Sequence, residues 1–128
     1  MKHLVCFILS LSLLACSSKS GKEEKELATQ AFINCDFYTA IENAEMAIQY
    51  AGEDINVSVP ALLILGKSLD ISGDSTAAIA AYEKIVLLAP GIKTVVEAQK
   101  IANNFVGKLS RSAPEKVKRC PALQNDLR

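Results

Sequence analysis

The stretch from Leu62 to Pro90 leaves this chain few ways to fold. It begins Leu62-x-x-Leu65-Gly66-x-x-Leu69, breaks at Ser72-Gly73-Asp74, resumes with Ala78-x-x-x-Tyr82 and stops at Pro90. Apolar residues at these intervals share one face of an α-helix. Ser72-Gly73-Asp74 joins a helix stop to the N-cap of a second helix. Ser58 reads as the N-cap of the first helix, with Pro60 in its first turn, where a missing N–H costs no hydrogen bond. Gly66 gives up about 1 kcal/mol of helix propensity. Its place mid-helix therefore implies close approach of the second helix, with Ala78 as the small residue facing it and Tyr82 filling the groove beyond. Two helices of similar length, joined tightly, make one helical hairpin.

A lone hairpin cannot bury its apolar face and needs a stacked neighbour. Upstream, Leu27, Ala28, Ala31, Phe32 and Cys35 follow helical spacing, Asp36 can cap a following helix, and Ala40, Ile41, Ala44, Ala47, Ile48 and Ala51 continue the pattern. Aligning Ala40 with Ala78 sets the two hairpins 38 residues apart. Downstream, Thr94-Val95-Val96-Glu97 forms a capping box. Val95, Ala98, Ile101, Ala102 and Phe105 make an apolar stripe, with Lys93, Lys100, Asn103 and Asn104 towards water and Gly107 as the expected C-cap. Ser110-Arg111-Ser112-Ala113-Pro114 then breaks the chain, so no full third hairpin follows.

The second hairpin resembles a tetratricopeptide repeat, whose pattern runs Leu or aromatic, Leu-Gly, Tyr, Ala, Phe and Pro. Ile85 departs from it, standing where the family usually has alanine. In the first hairpin Leu27-Ala28 falls at the Leu-Gly position, Ala31 at the Tyr position, Ala44 at the Phe position and Gly52 at the Pro position. The family period is 34, so about four extra residues are expected between the repeats, in a loop at Glu53-Asp54-Ile55-Asn56-Val57. The resemblance implies an all-α fold: a short array of about two hairpins, 23–54 and 55–92, closed by a helix at 93–107 and followed by a basic tail at 108–128. It also implies that a protein or peptide partner binds along the concave face made by the first helices. Carried over by position, the contact candidates are Lys25, Thr29 and Phe32, then Leu63, Lys67 and Asp70, and Asn104 in the closing helix. For Phe32 and Leu63 a place in the core is an equal expectation.

Met1-Lys2-His3 followed by the apolar run Leu4 to Leu14 fits a secretory signal peptide. The run is shorter than the ~20 residues that span a membrane. Leu13-Leu14-Ala15-Cys16 resembles the lipobox of bacterial lipoproteins. That resemblance implies a signal at 1–15, cleavage after Ala15, lipid on Cys16 and a flexible tether at 16–22. Several acyl chains hold a protein to a membrane well beyond the marginal grip of one. Ser17 stands where the family's inner-membrane retention signal would be Asp, which implies the outer membrane, facing the periplasm. In a host with a single membrane the anchor sits on its outer face. An ordinary signal peptide in which Cys16 is incidental is the alternative.

With Cys6 in the signal and Cys16 lipidated, Cys35 and Cys120 remain, and an exported protein meets oxidising conditions. A disulfide between them would fold the basic tail over the acidic first hairpin and contribute about 4 kcal/mol in the chain-entropy model. The alternative is Cys35 as a small buried residue and Cys120 free or paired between molecules. The charge asymmetry agrees with the disulfide. From Glu23 to Gly91 eleven acidic residues face only Lys25, Lys67 and Lys84, whereas from Ile92 onward eight basic residues face three acidic ones. Solvated faces, self-complementary packing or a tail meeting an anionic surface would all produce that distribution.

Catalytic constellations are missing. The one histidine, His3, lies in the signal, so no Ser/His/Asp set and no Cys/His metal cluster is expected. Neither a phosphate-binding glycine loop nor a cofactor motif is present. The carboxylate pairs Asp70/Asp74 and Glu42/Glu45 read as solvated surface. The tail lacks aromatics between its basic residues, which argues against nucleic acid. One feature points to self-association instead: residues 77–89 are apolar nearly all round, with only Glu83 and Lys84 charged. Such a helix needs burial on more than one side, and a second copy would supply it.

Overall fold

The computed structural model describes residues 19–117 and 119–126; the expected signal and Cys16 lie outside them. Among the described residues there are seven helices and no strand: α1 (Lys22–Ile33), α2 (Phe37–Ala51), α3 (Ile55–Ile71), α4 (Ser75–Leu88), α5 (Val95–Ser112), α6 (Pro114–Val117) and α7 (Pro121–Asp126). The chain is an all-α array. Helix α3 is its centre, packing against α1, α2, α4 and α5, and it is buried without interruption from Ala61 to Ser68.

Both hairpin turns are set by local chemistry. Asp36 accepts from the backbone N–H of Thr39 at 3.2 Å, and Asp74 accepts from that of Ala77 at 3.1 Å, so each satisfies a donor left open at a helix start. Gly66 is where the second hairpin closes. A Cβ there would lie 2.6 Å from the Tyr82 ring, so the aromatic ring rather than Ala78 occupies the space the glycine leaves.

The expected loop at Glu53–Val57 is shorter than that: Ile55–Val57 are already helix, and only Glu53 and Asp54 remain outside it. Asp54 caps α3, accepting from the N–H of Asn56 at 3.0 Å, while Ser58 donates its hydroxyl back to the Asp54 carbonyl at 3.0 Å. Burial of Val57 and Ser58 draws this extra turn onto the array. Pro60 consequently sits inside α3, not in its first turn.

Helix α5 also differs from expectation. Gly107 is not its cap but is buried within it, and the helix runs on to Ser112. What ends it is Pro114, which disfavours helical backbone at Ala113 (φ −138°, ψ 60°). The capping box is shifted: the N–H of Glu97 donates to Thr94 Oγ1 at 3.1 Å, but the Glu97 carboxylate accepts from the N–H of Lys93 at 2.8 Å. The buried stripe is Ala98, Ala102 and Val106, leaving Ile101 exposed. In the same way Leu27 of α1 faces outward. The tail, expected as a basic appendage from residue 108, is part of the fold. Its residues 108–112 complete α5, and Val117, Cys120 and Leu123 enter the core.

Candidate interaction surface

The first helices of successive hairpins, α1 and α3, lie in contact, and α5 packs on the other side of α3. Between α1 and α5 an open groove of about 390 Å³ runs over Pro60 of α3. Lys25, Thr29 and Gln30 form one wall; Phe105 and Leu109 form the other. Thr29 donates its hydroxyl to the Lys25 carbonyl at 2.9 Å, leaving its oxygen lone pairs towards other donors. The groove thus offers a mainly polar wall that ends in Ile33, a mainly apolar wall that ends in Ser112, and a proline floor.

Of the seven contact candidates, Lys25 and Thr29 line this groove, while Asp70 and Asn104 are exposed elsewhere. Phe32, Leu63 and Lys67 are not exposed. Phe32 is fully buried and packs edge-on against Phe37, with ring centroids 5.5 Å apart. Leu63 and Lys67 each keep only 4% of their surface. The Lys67 ammonium donates to Asn103 Oδ1 at 2.8 Å, which ties α3 to α5. Phe32 and Leu63 belong to the core cluster that also takes in Val117, Cys120 and Leu123 of the tail, and Lys67 is held against α5.

Cys35 and Cys120 are joined in a disulfide, with Cα atoms 5.7 Å apart. Cys35 occupies the α1–α2 turn in the left-handed region (φ 68°). Cys120, between α6 and α7, is fully buried with Val117 and Leu123 in the cluster that holds Phe32 and Leu63. At the adjoining N-cap, the backbone and side chain of Thr39 both hydrogen-bond to the Asp36 carboxylate and hold its pKa below the ordinary value.

At the opposite end of α1 the chain enters through Lys19. Its ammonium lies 3.9 Å from the carboxylate of Glu24 and 5.2 Å from the centre of the Tyr50 ring. The entry point is therefore at the start of α1 and the end of α2, away from the disulfide.

A second groove, about 440 Å³, opens on the other face between α2 and α4. Leu62, Leu65 and Leu69 of α3 line it, with Ile48 on one side, Ala80 on the other, and Glu45 and Lys84 among its charged residues. Beyond it, Ile79 and Leu87 of α4 and Val96 of α5 stand out to solvent, Leu87 at 84% and Val96 at 71% exposure.

Sequence reasoning missed Gln30, Pro60, Phe105 and Leu109 as groove residues. One signal was present: the 38-residue offset that carries Thr29 to Lys67 carries Lys67 to Phe105. Among the described residues no group of three or more His, Cys, Asp or Glu could hold a metal ion, and no helix is long and apolar enough to cross a membrane. Searches against family models, curated proteins and solved structures find no match to this chain.

Proposed function

We propose that the mature chain is a lipid-anchored envelope protein that serves as a tetratricopeptide-like interaction module, holding a protein or peptide partner in the α1–α5 groove. The groove itself carries this reading, because it is bounded by first helices and includes Lys25 and Thr29. The lipobox-like Leu13-Leu14-Ala15-Cys16 supports an anchor on Cys16 and a place on the periplasmic side of the outer membrane. The contacts of Lys19 with Glu24 and Tyr50 would then set the membrane-proximal end of the array at the start of α1, with both hairpin turns distal. No catalytic role is assigned.

A photoreactive residue in place of Thr29, used in living cells, tests the reading. It predicts one discrete protein adduct, lost when Phe105 is changed to Asp. Adducts with lipid alone, at Thr29 and at Lys25, would overturn it.

A second reading is a homodimer through α4, favoured by the exposure of Leu87 and Ile79. Sedimentation of the unlipidated chain from Ser17 onward separates the two. A dimer that dissociates on Leu87→Lys supports self-association, and a concentration-independent monomer removes it.

A further inference from the structure

The front of α3 changes along its length. Asn56, Pro60, Leu63 and Lys67 lie at i, i+4, i+7 and i+11 on one helix face. Asn56 is exposed and Pro60 half-buried, whereas Leu63 and Lys67 are buried. Cover over this face therefore increases towards the C-terminal ends of the first helices. The tail is placed to supply it. Its start, Ala113, directly follows α5, and its Cys120 is bonded to Cys35 just beyond the end of α1. A segment fixed at those two points bridges the end of α5 and the end of α1. Val117, Cys120 and Leu123, spaced three apart, retain 6%, 0% and 0% of their surface and share a buried cluster with Phe32 and Leu63. The intervening sequence is basic, with Lys118 and Arg119, and the body it joins is acidic.

The geometry points to a docking surface whose resident occupant is the chain's own tail. The surface accepts a short segment with apolar residues at i, i+3 and i+6 among basic ones, and the Cys35–Cys120 disulfide is the latch that keeps a partner segment of that chemistry out. This rests on the proposed docking function: the α1–α5 groove is open in the latched chain, and release of the tail lengthens it to take a partner segment of this chemistry. A dithiol reductant opens the latch. One thiolate attacks the sulfur of Cys35, which is half-buried where Cys120 is fully buried, and forms a mixed disulfide. Cys120 leaves as the thiolate and takes up a proton. The reductant's second sulfur then displaces Cys35, so the dithiol departs as a disulfide and the chain holds two thiols. While closed, the tail competes intramolecularly, with an effective concentration of roughly millimolar or above, which a free segment cannot match.

The test uses the full mature chain and a fluorescent peptide of its residues 113–126 with Cys120→Ser. Anisotropy is measured on the oxidised chain, on the chain treated with dithiothreitol and on Cys120→Ser. Hydrogen exchange is followed in parallel. The expected result is binding at least tenfold tighter to both open forms, exchange in residues 113–123 that becomes faster than in the still-protected α1–α5, and no binding of the same peptide carrying Val117→Asp and Leu123→Asp. Equal binding to open and closed chains overturns the inference, as does a tail that stays protected after reduction. Loss of protection throughout α1–α5 overturns it too, because the bond is then a staple of the whole fold. An adduct at Thr29 that is the same before and after reduction sinks this inference and leaves the docking reading standing; absence of any protein adduct sinks that reading instead.

Discussion

Asn34-Cys35-Asp36 and Ser72-Gly73-Asp74 are one turn built twice, at an offset of 38 residues. In each, the central N–H bonds three residues back, Cys35 to Phe32 at 3.0 Å and Gly73 to Asp70 at 3.1 Å. The following Asp N–H reaches five residues back, Asp36 to Ala31 and Asp74 to Leu69, both at 2.9 Å. These paired bonds are a Schellman stop, whose central residue takes the left-handed conformation. Gly73 does so at φ 93° without a side chain to clash, while Cys35 does so at φ 68° with one. Left-handed backbone costs a non-glycine residue about 1–2 kcal/mol. The first hairpin carries that cost at the one position from which a thiol meets Cys120. Geometry of the turn belongs to folding; the residue placed in it belongs to the latch.

Substitutions can break this comparison or refine it. Removing the latch has the largest expected effect. Cys120→Ser opens a loop with a sequence separation of 85 and should lower unfolding free energy by about 4.5 kcal/mol in the chain-entropy model, measured by urea denaturation against the oxidised chain. A change within error of zero would mean the two halves of the fold need no link.

Next comes the helix contact that follows each turn. In the second hairpin a Cβ at Gly66 meets the buried ring of Tyr82, so Gly66→Ala overpacks the site by about 1–3 kcal/mol and regains about 1 in helix propensity. A net loss of up to about 2 kcal/mol is expected by thermal or urea unfolding. At the corresponding positions of the first hairpin stand Ala28 and Ala44, both fully buried, so that hairpin already tolerates the methyl group.

The turns themselves come third, with opposite signs. Gly73→Ala should destabilise by about 1 kcal/mol or slightly more. In a Cys120→Ser background, Cys35→Gly should be more stable than Cys35→Ser by about the same amount, since the latch is absent and only the backbone cost remains. Equal stabilities for the two would show that Cys35 is unstrained.

Smallest is the pH response of the caps. Thr39 holds the Asp36 carboxyl below its ordinary pKa. A group depressed in the folded state stabilises fully above its unfolded pKa, and that contribution fades as pH falls through the folded value. Asp36→Asn should therefore flatten the acid limb of stability between the ordinary carboxylate pKa and the lower folded one. Because Asp36 is exposed, a slight effect is expected, and the lowered pKa is best read by NMR titration of Asp36 in the unsubstituted chain.

Much of this was legible in the chain. Gly73 and Asp74 announce a stop and a start, Asp36 announces its counterpart, and Thr94 caps α5 as its spacing implies. Those signals act over three or four residues, which is why they can be read without a fold. Pro60 and Gly107 misled because each is a breaker only where the surroundings allow a break. Val57 and Ser58 are drawn into the core, so α3 begins a turn early and takes Pro60 inside; buried Gly107 lets α5 continue. Lys67 looked like surface because lysine usually is, yet Asn103 of α5 gives its ammonium a partner. The tail was the larger omission. Basic residues hide the three-residue spacing of Val117, Cys120 and Leu123, and only the position of Cys35 shows where they go.

Peptide mapping of the mature chain, alkylated under native non-reducing conditions, tests the latch most directly. The account predicts a single cross-link joining the peptides of Cys35 and Cys120, with neither sulfur alkylated. Alkylation of both cysteines, or a link between separate chains, would contradict it.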